Sequence, residues 1–304
     1  MRAATTHSSG TTLFTFTALK CAITTIQEVG LPRLRKMVHA VAHLPGTWRL
    51  LYYDAPTRGE QIRLLFALGG VPLQDVRLWP FPNGLDPYRK AALGADSPLL
   101  GTDKCPCVTA PDGTHCVETS NIMHFVGHQI GMAPQTEEAD ERAVNLCLIA
   151  QELLDEVFYP LLMPMLVRRL TRTELLGLLR PLSGLLGDRS AKVEPAVAAL
   201  RARLPALERA LEASGGTFFS GEALTFESVA LFNALRDILA YECVGDELAS
   251  YPRLAAFMAA LEARARPYFE ERTATHQCGY PDVVSYLAAT NTPFPWSRVA
   301  KQRD

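Results

Sequence analysis

The chain has 304 residues, a length that predicts about two domains and a core of useful size. Its 30 basic and 32 acidic residues leave a net charge of −2, so the composition indicates no nucleic-acid partner and no polyanionic surface. Because no apolar run reaches the roughly 18 residues that a membrane-spanning helix needs, we expect a soluble protein without a membrane partner.

The N-terminal 46 residues differ in composition from the rest and are excluded from the predicted fold. They are rich in threonine and carry no acidic residue before Glu28, which is typical of a transit peptide. A disordered tail or a misassigned start is the alternative. The seven scattered cysteines favour reduced thiols in a reducing compartment. We therefore expect a cytoplasmic protein, or a plastid or mitochondrial one if the segment is a transit peptide.

The first half of the fold begins with a predicted β-α-β unit. Residues 48–53 are aromatic-rich and favour a strand, and a helix is predicted from Arg58 to the pair Gly69-Gly70. Residues 73–79 alternate in polarity and predict a second strand, which the intervening helix makes parallel to the first. A weak helix is predicted at 88–93, between two loops.

A hairpin and a helix complete this unit. The run Pro-Asp-Gly-Thr at 111–114 separates two short apolar stretches and predicts the hairpin, since glycine takes the positive φ that the turn needs. Thr119 is predicted to cap a helix at 120–131. Residues 47–132 are thus predicted to form an α/β domain with a small mixed sheet of four strands.

Helical periodicity dominates from Glu137 onward. Residues 137–275 predict an all-α domain, and 170–192 have weaker periodicity and suit a variable insert. Residues 276–304, with three prolines, predict an irregular tail. The predicted helices of this domain span residues 137–169, 193–213, 225–240 and 251–265.

The segment at 50–63, LLYYDAPTRGEQIR, resembles the first motif of the tyrosine-type cytosolic glutathione transferases (alpha, mu, pi and sigma classes). Tyr52 falls on the catalytic tyrosine of that family and Arg58 on its second loop arginine, whereas Pro56-Thr57 replaces the usual Arg-Gly. The resemblance covers about residues 48–270. It implies an α+β, thioredoxin-like domain that binds glutathione, followed by an all-α helical domain.

Three further motifs occur at the family's spacing. Lys104-Cys105-Pro106 is similar to the segment that carries the family's cis-proline, and Glu118-Thr119 to the pair before its third helix. Residues 220–228 resemble its helix-capping segment, with Ser228 in place of the usual aspartate. That replacement predicts a weaker capping box.

The resemblance implies a role in thiol activation for Tyr52 and Arg58. A free thiol titrates near pH 8.5, so an enzyme that uses glutathione must lower that pKa. A neutral Tyr52 hydroxyl that donates to the sulfur favours the thiolate, and the Arg58 guanidinium adds a nearby positive charge. The alternative is that Tyr52 is only an aromatic strand residue. Tyr53, on the opposite side of the strand, is expected in the core.

The resemblance also implies where the rest of glutathione binds. A cis bond at Pro106 would let the Cys105 backbone pair with the cysteinyl backbone of glutathione like an added strand. Glu118 would hold the γ-glutamyl ammonium, and Thr119 with the helix N–H groups its carboxylate. Without the family resemblance, the position of Thr119 predicts only a helix cap.

Charged side chains further along the chain complete the implied site. Lys104, and less directly Lys90, could pair with the glycyl carboxylate, although a solvated surface lysine is the common alternative. Asp155 or Glu156 could reach a glutathione ammonium across a dimer interface. An apolar substrate pocket is expected between the domains, with lining residues that could equally be helix core: Tyr159, Leu162, Met163 and Met165.

No metal is expected as a cofactor. Cys105, Cys107 and Cys116 fit no common zinc spacing and are better explained as packing thiols. His124 and His128 share a helix face, but the glutamate of the His-Glu-x-x-His motif is missing, so a metal role is disfavoured there.

The leading functional prediction is a homodimeric glutathione transferase that conjugates glutathione to apolar electrophiles. Glutathione-dependent isomerisation of the prostaglandin type, or peroxide reduction, would use the same thiolate. A non-catalytic scaffold of the same fold is a third possibility, which the Pro56-Thr57 replacement favours and the retained Tyr52 and Arg58 disfavour. A cysteine-type thiol transferase is disfavoured because residues 52–60 contain no cysteine.

Overall fold

A computed structural model describes residues 43–53, 57–78, 85–90, 98–102, 104–162, 193–241, 244 and 246–275. Most of the predicted N-terminal extension, the predicted insert at 170–192 and the predicted tail at 276–304 lie outside the described residues. Among the described helices, none is long and apolar enough to cross a membrane.

A four-stranded mixed sheet forms the N-terminal part of the fold, with the strand order β2-β1-β3-β4. β1 and β2 are parallel, and Trp48 lies opposite Leu73. β3 runs antiparallel to β1, and β4 antiparallel to β3. The predicted sheet and its parallel first pair are confirmed. The strands are β1 (Trp48–Tyr53), β2 (Leu73–Leu78), β3 (Cys107–Thr109) and β4 (His115–Val117).

The predicted turn at 111–114 connects β3 to β4. Gly113 has a φ of 93°, a conformation that glycine adopts without steric cost. The Ala110 N–H donates to the Thr114 carbonyl at 2.8 Å, and the Asp112 carboxylate accepts from the Thr114 N–H at 2.8 Å. The turn is therefore closed by main-chain and aspartate side-chain hydrogen bonds together.

In the described part of the chain, three helices accompany the sheet: α1 (Arg58–Leu68), α2 (Asp86–Lys90) and α3 (Thr119–Gln129). α1 crosses between β1 and β2, and its residues 59–66 are all buried. α1 and α3 contact each other, and both pack against the helical part of the chain. The helix predicted at 88–93 begins earlier, at Asp86, and the predicted residues beyond Lys90 lie outside the described part of the chain.

The prediction that Thr119 caps α3 is wrong. Thr119 is the first residue of the helix, and the N-cap is Glu118, whose side chain makes no capping hydrogen bond. Glu118 has a φ of 67°, in the left-handed region. That backbone conformation turns the chain directly from β4 into the helix, so Thr119 is already helical.

Among the described residues, the all-α C-terminal domain has four α-helices: α4 (Glu137–Leu153), α5 (Val193–Ser214), α6 (Phe226–Leu239) and α7 (Pro252–Thr275). The side chain of Thr136 caps α4 by accepting from the Ala139 N–H at 3.2 Å. α4 continues into a π-helical turn, Leu154–Phe158. A short 3₁₀ turn, Glu247–Ser250, precedes α7.

α7 is longer than predicted. The apolar periodicity predicted an end at Ala265, but the helix continues past Pro267 to Thr275. The additional turns carry Tyr268 and Arg272, whose side chains bind Glu60 of α1. Tertiary contacts therefore extend the helix beyond the point where its own apolar pattern fades.

α6 begins without the capping box that the family segment suggests. Thr225 is the N-cap but makes no side-chain capping bond, and its hydroxyl donates to the carboxylate of Glu227 instead. Ser228 accepts from the Phe219 N–H at 3.3 Å. The weaker capping box predicted from Ser228 is thus confirmed.

The two parts of the fold are joined closely beside α3. The Phe226 N–H donates to the Met132 carbonyl at 2.9 Å, which ties the start of α6 to the segment after α3. Gly127 of α3 faces the Phe226 ring so closely that a Cβ there would lie 2.6 Å from Cδ1 of that ring. Glycine therefore allows α3 and α6 their close approach.

Candidate active site

The strand directions bring the predicted glutathione-site residues to one end of the sheet. β1 ends at Tyr53, and because β3 is antiparallel to it, with Leu51 opposite Cys107, the segment Cys105-Pro106 lies beside that end. β4 returns with Val117 opposite Cys107, so Glu118 and Thr119 reach the same end. The predicted residues Tyr52, Cys105, Pro106, Glu118 and Thr119 are thus near one another.

Tyr52 is a buried phenol at this end of the sheet. Its hydroxyl lies 3.1 Å from Oγ1 of Thr57, and either atom can be the donor. Burial raises the pKa of Tyr52 above its ordinary value, Tyr159 and Cys105 add to the rise, and Thr57 and Arg58 oppose it. The phenol is therefore neutral at physiological pH, and it suits a hydrogen-bond donor better than a base.

Gly59 fixes the position of the Tyr52 ring. A Cβ at residue 59 would lie 2.0 Å from Cδ1 of Tyr52. The ring thus packs directly against the backbone of the first turn of α1. Tyr53 is also buried, and its carbonyl accepts from the Arg63 guanidinium at 3.0 Å. The prediction that Tyr53 belongs to the core is confirmed.

Thr57 connects Tyr52 to the helical domain. In the sequence this residue is notable only because Pro56-Thr57 replaces the family's usual Arg-Gly. It is fully buried, with a φ of 83° and a ψ of −129°. Such a backbone conformation is rare outside glycine and costs about 1–3 kcal/mol. Its N–H donates to the Asp237 carboxylate at 3.1 Å, and its carbonyl accepts from Asn233 at 3.2 Å.

Asn233 and Asp237 are site residues that sequence reasoning missed. They lie four positions apart on α6, among apolar residues, and both are buried. Burial raises the pKa of Asp237 to about 7, although Arg236, the Thr57 N–H and Arg272 favour its ionised form. Two polar residues on one buried face of an apolar helix are the signal that could have identified this contact.

Arg58, the predicted catalytic arginine, binds Asp155 of the helical domain. Its Nη2 atom lies 2.7 Å and 2.8 Å from the two carboxylate oxygens. The Arg58 guanidinium also lies 5.8 Å from the centre of the Tyr159 ring. The side chains of the pair are 33% and 54% exposed, so this contact spans the two domains at the surface. Asp155 is thus engaged with Arg58 of its own chain.

A buried ionic network underlies the first turn of α1. The Glu60 carboxylate accepts from the Tyr268 hydroxyl at 2.8 Å and from Arg63 at 3.3 Å, and it forms an ion pair with Arg272. Burial alone would raise the pKa of Glu60, but Arg272, Arg63 and Tyr268 outweigh it and lower that pKa. Arg63 also binds Asp75 of β2 at 2.9 Å. α1 is therefore fixed to both β2 and α7.

The Cys105–Pro106 peptide bond is cis, as the resemblance implies. Burial raises the pKa values of Cys105 and Cys107 to about 12 each, so both thiols are neutral. Cys105, Cys107, Cys116 and Cys147 are free thiols. They have the environment of packing residues, not of nucleophiles.

The remaining predicted residues differ in their exposure. Glu118 and Lys104 are exposed, and Thr119 is buried at the N-terminus of α3. Lys90 ends α2, but its side chain lies outside the described part of the chain. Of the predicted pocket residues, Leu162 is buried and Tyr159 half-buried, whereas Met163 and Met165 lie outside the described residues.

Comparisons with known proteins agree with this geometry. Residues 190–270 match the family model for the glutathione S-transferase C-terminal domain. The chain is 26% identical over 238 residues to S-crystallin 2 of Enteroctopus dofleini, which covers 75% of this chain and 98% of that protein. It is 28% identical over 194 residues to glutathione S-transferase 1 of Ascaris suum, covering 62% of this chain and 78% of that protein.

Solved structures share the fold. Monomeric Na-GST-3, a glutathione S-transferase from the hookworm Necator americanus, superimposes with a TM-score of 0.58 at 16% identity, covering 74% of this chain and 97% of that one. At this level of identity the likeness concerns the fold alone. It agrees with a thioredoxin-like domain followed by an all-α domain.

Proposed function

We propose that this chain is a member of the cytosolic glutathione transferase family that activates the glutathione thiol and transfers its sulfur to apolar electrophiles. The observation that carries the proposal is the neutral, buried phenol of Tyr52 beside the Cys105-Pro106 segment. A phenol that keeps its proton can donate a hydrogen bond to a sulfur placed there, and this bond is stronger to a thiolate than to a thiol.

The proposal requires one of the two possible directions of the Tyr52–Thr57 hydrogen bond. In one of the two arrangements that the 3.1 Å contact allows, the Thr57 hydroxyl donates to the Tyr52 oxygen. The phenol proton is then available for a glutathione sulfur. Each unit by which the thiol pKa falls requires about 1.4 kcal/mol of preference for the thiolate. A charge-assisted hydrogen bond of about 1.5–3 kcal/mol would thus lower the pKa by one to two units.

The other polar groups at this end of the sheet would bind the peptide part of glutathione. In the proposal, the Cys105 backbone pairs with the cysteinyl unit, Glu118 binds the γ-glutamyl ammonium, and Thr119 with the N-terminus of α3 binds its carboxylate. Lys104 and Lys90 are proposed for the glycyl carboxylate. Arg58 adds positive charge, which Asp155 partly neutralises.

Assembly and location are part of the proposal. We expect a cytoplasmic homodimer in which Asp155 also approaches the glutathione of the partner. Sedimentation velocity of the full chain, with and without glutathione, tests the dimer. A relative of the same fold is described as monomeric, so the dimer needs its own measurement.

A non-catalytic glutathione-transferase scaffold is the second candidate. What favours it is that both proposed catalytic side chains already have protein partners, Tyr52 with Thr57 and Arg58 with Asp155. The similarity to an S-crystallin is consistent with this alternative. In a scaffold the Tyr52–Thr57 contact serves only to hold the first loop to α6.

The test is a pH titration of thiolate ultraviolet absorbance for glutathione bound to the full chain, measured as a difference from the chain alone. The variants are Tyr52→Phe and, as a matched control, Tyr53→Phe. We expect the pKa of bound glutathione to lie one to two units below that of free glutathione in the wild type and in Tyr53→Phe, and to return toward 8.5 in Tyr52→Phe.

The outcomes separate the two candidates. Bound glutathione with an unshifted pKa, or no binding by calorimetry, would reject the transferase and favour the scaffold. If the pKa is depressed, assays with aryl halides, peroxides and prostaglandin endoperoxides distinguish conjugation from peroxide reduction and isomerisation. Those three reactions use the same thiolate and differ only in the substrate pocket.

A further inference from the structure

Two histidines and a carboxylate converge on the surface beside the junction of the domains. His124 and His128 lie one turn apart on α3, and Asp140 lies on the first turn of α4. Nε2 of His124 is 2.8 Å from one carboxylate oxygen of Asp140, and Nε2 of His128 is 2.9 Å from the other. Their three potential ligand atoms all lie within 4.8 Å of one another.

The fold brings these three potential ligands together from two different helices. The helix that carries His124 and His128 lacks the glutamate of the His-Glu-x-x-His motif. The sequence alone therefore argues against a metal role for this pair. The third ligand is supplied instead by a different helix. Imidazole nitrogen and carboxylate oxygen are both ordinary zinc ligands, and three protein ligands with water in the fourth position make a common zinc arrangement.

Two of the three ligand separations can be compared with those around a tetrahedral ion, and each involves a different oxygen of Asp140. Zinc–ligand bonds of about 2.0–2.1 Å at tetrahedral angles separate neighbouring ligand atoms by about 3.3 Å. The observed 2.8 Å and 2.9 Å separations would therefore widen by about half an ångström, which small side-chain rotations provide. The His124 and His128 side chains are 40% and 44% exposed, so solvent can supply the fourth ligand.

The surrounding contacts hold these groups in place. The rings of His124 and Phe226 are nearly perpendicular, with their centres 5.6 Å apart. The N-terminus of α4, which carries Asp140, is fixed by the cap from Thr136, and the Asp140 N–H donates to the Thr136 carbonyl at 2.9 Å. The ligands are therefore positioned before any ion arrives, which reduces the entropy that binding must overcome.

We propose that His124, His128 and Asp140 form a binding site for a divalent transition-metal ion of the zinc class. Each histidine binds through Nε2, Asp140 through a carboxylate oxygen, and a water molecule takes the fourth position. Because α3 belongs to the sheet domain and α4 to the helical domain, the ion connects the two domains. The site does not include Tyr52 and does not depend on glutathione chemistry.

Isothermal titration of Zn²⁺ into the full chain, prepared without a histidine tag and under reducing conditions, tests this proposal. We expect one site with a micromolar dissociation constant, and at least tenfold weaker binding in His128→Gln and in Asp140→Asn. His115→Gln is the matched control, because His115 is a half-buried histidine of the sheet domain whose described contact is with Thr109. It should bind Zn²⁺ as the wild type does.

A second measurement separates these ligands from the cysteines. Co²⁺ bound at this site should give visible bands without the intense thiolate charge-transfer absorption of a cysteine-ligated ion. Zn²⁺ should also raise the unfolding temperature of the wild type but not of His128→Gln, whose fold is checked by circular dichroism. Failure of the wild type to bind at 100 μM Zn²⁺, unchanged affinity in both variants, or thiolate bands with Co²⁺ would each overturn the proposal.

Discussion

Replacing Arg272 by leucine is expected to destabilise the whole chain, because it removes a cation from a buried carboxylate. Glu60 and Arg272 are each only 3% exposed. Without Arg272, Glu60 keeps the Tyr268 hydroxyl at 2.8 Å and Arg63 at 3.3 Å. Removing one partner of a buried ion pair costs about 3–5 kcal/mol, and the contacts that remain place the expected loss near the lower limit, at about 3 kcal/mol.

Urea unfolding, followed by both tryptophan fluorescence and circular dichroism, measures this loss. A loss of about 3 kcal/mol lowers the unfolding midpoint by about 1 M or more. Arg266→Leu is the matched control, since Arg266 is an exposed arginine on the same helix. It should change the free energy of unfolding by about 0.5 kcal/mol or less.

The double variant Glu60→Leu/Arg272→Leu tests the reason for the effect. If the cost of Arg272→Leu arises from an uncompensated buried charge, then removing Glu60 as well should recover part of the lost stability. A loss below 1 kcal/mol in the single variant would refute the assignment of a buried ionic network. A double variant less stable than the sum of the single changes would refute its proposed cause.

Two further substitutions concern residues that contact Thr57 or the Tyr52 ring. The pKa of Asp237 is raised from 3.8 to about 7, so the native chain binds more protons than the unfolded chain between these values and loses stability as the pH rises through that window. Asp237→Asn should therefore gain stability relative to the wild type from pH 4 to pH 8, by up to about 4 kcal/mol for three pKa units, and a pH-independent difference in thermal denaturation would contradict this. Gly59→Ala places a Cβ 2.0 Å from the Tyr52 ring and should cost about 1–3 kcal/mol of stability and weaken glutathione binding. Equal affinity by calorimetry would show that the ring position does not matter.

The regular elements could be predicted because their signals are local. The parallel β1–β2 pair, the hairpin and most helix bounds agree with polarity patterns and with turn residues such as Gly113. The choice of Tyr52 as the proposed catalytic residue, by contrast, needed the family resemblance. Periodicity alone separates Tyr52 from Tyr53 but does not say which one faces the site.

The supports of the candidate site could not be predicted in the same way. Thr57 adopts a backbone conformation that its residue type disfavours, and it does so because Asn233 and Asp237, far away in sequence, bind its main chain. The extension of α7 beyond Pro267 likewise depends on Glu60. The two histidines of α3 find their third potential ligand, Asp140, on another helix. Such arrangements come from tertiary contacts, which no local pattern encodes.

The contact between α1 and α7 also bears on how the chain matures during synthesis. Glu60 leaves the ribosome early, and its partner Tyr268 emerges 208 positions later. At about 5–20 residues per second, some 10–40 s pass between the two. During that interval the Glu60 carboxylate has to remain hydrated or be bound by other groups. The first helix therefore reaches its final environment only after nearly all of the second domain has been translated.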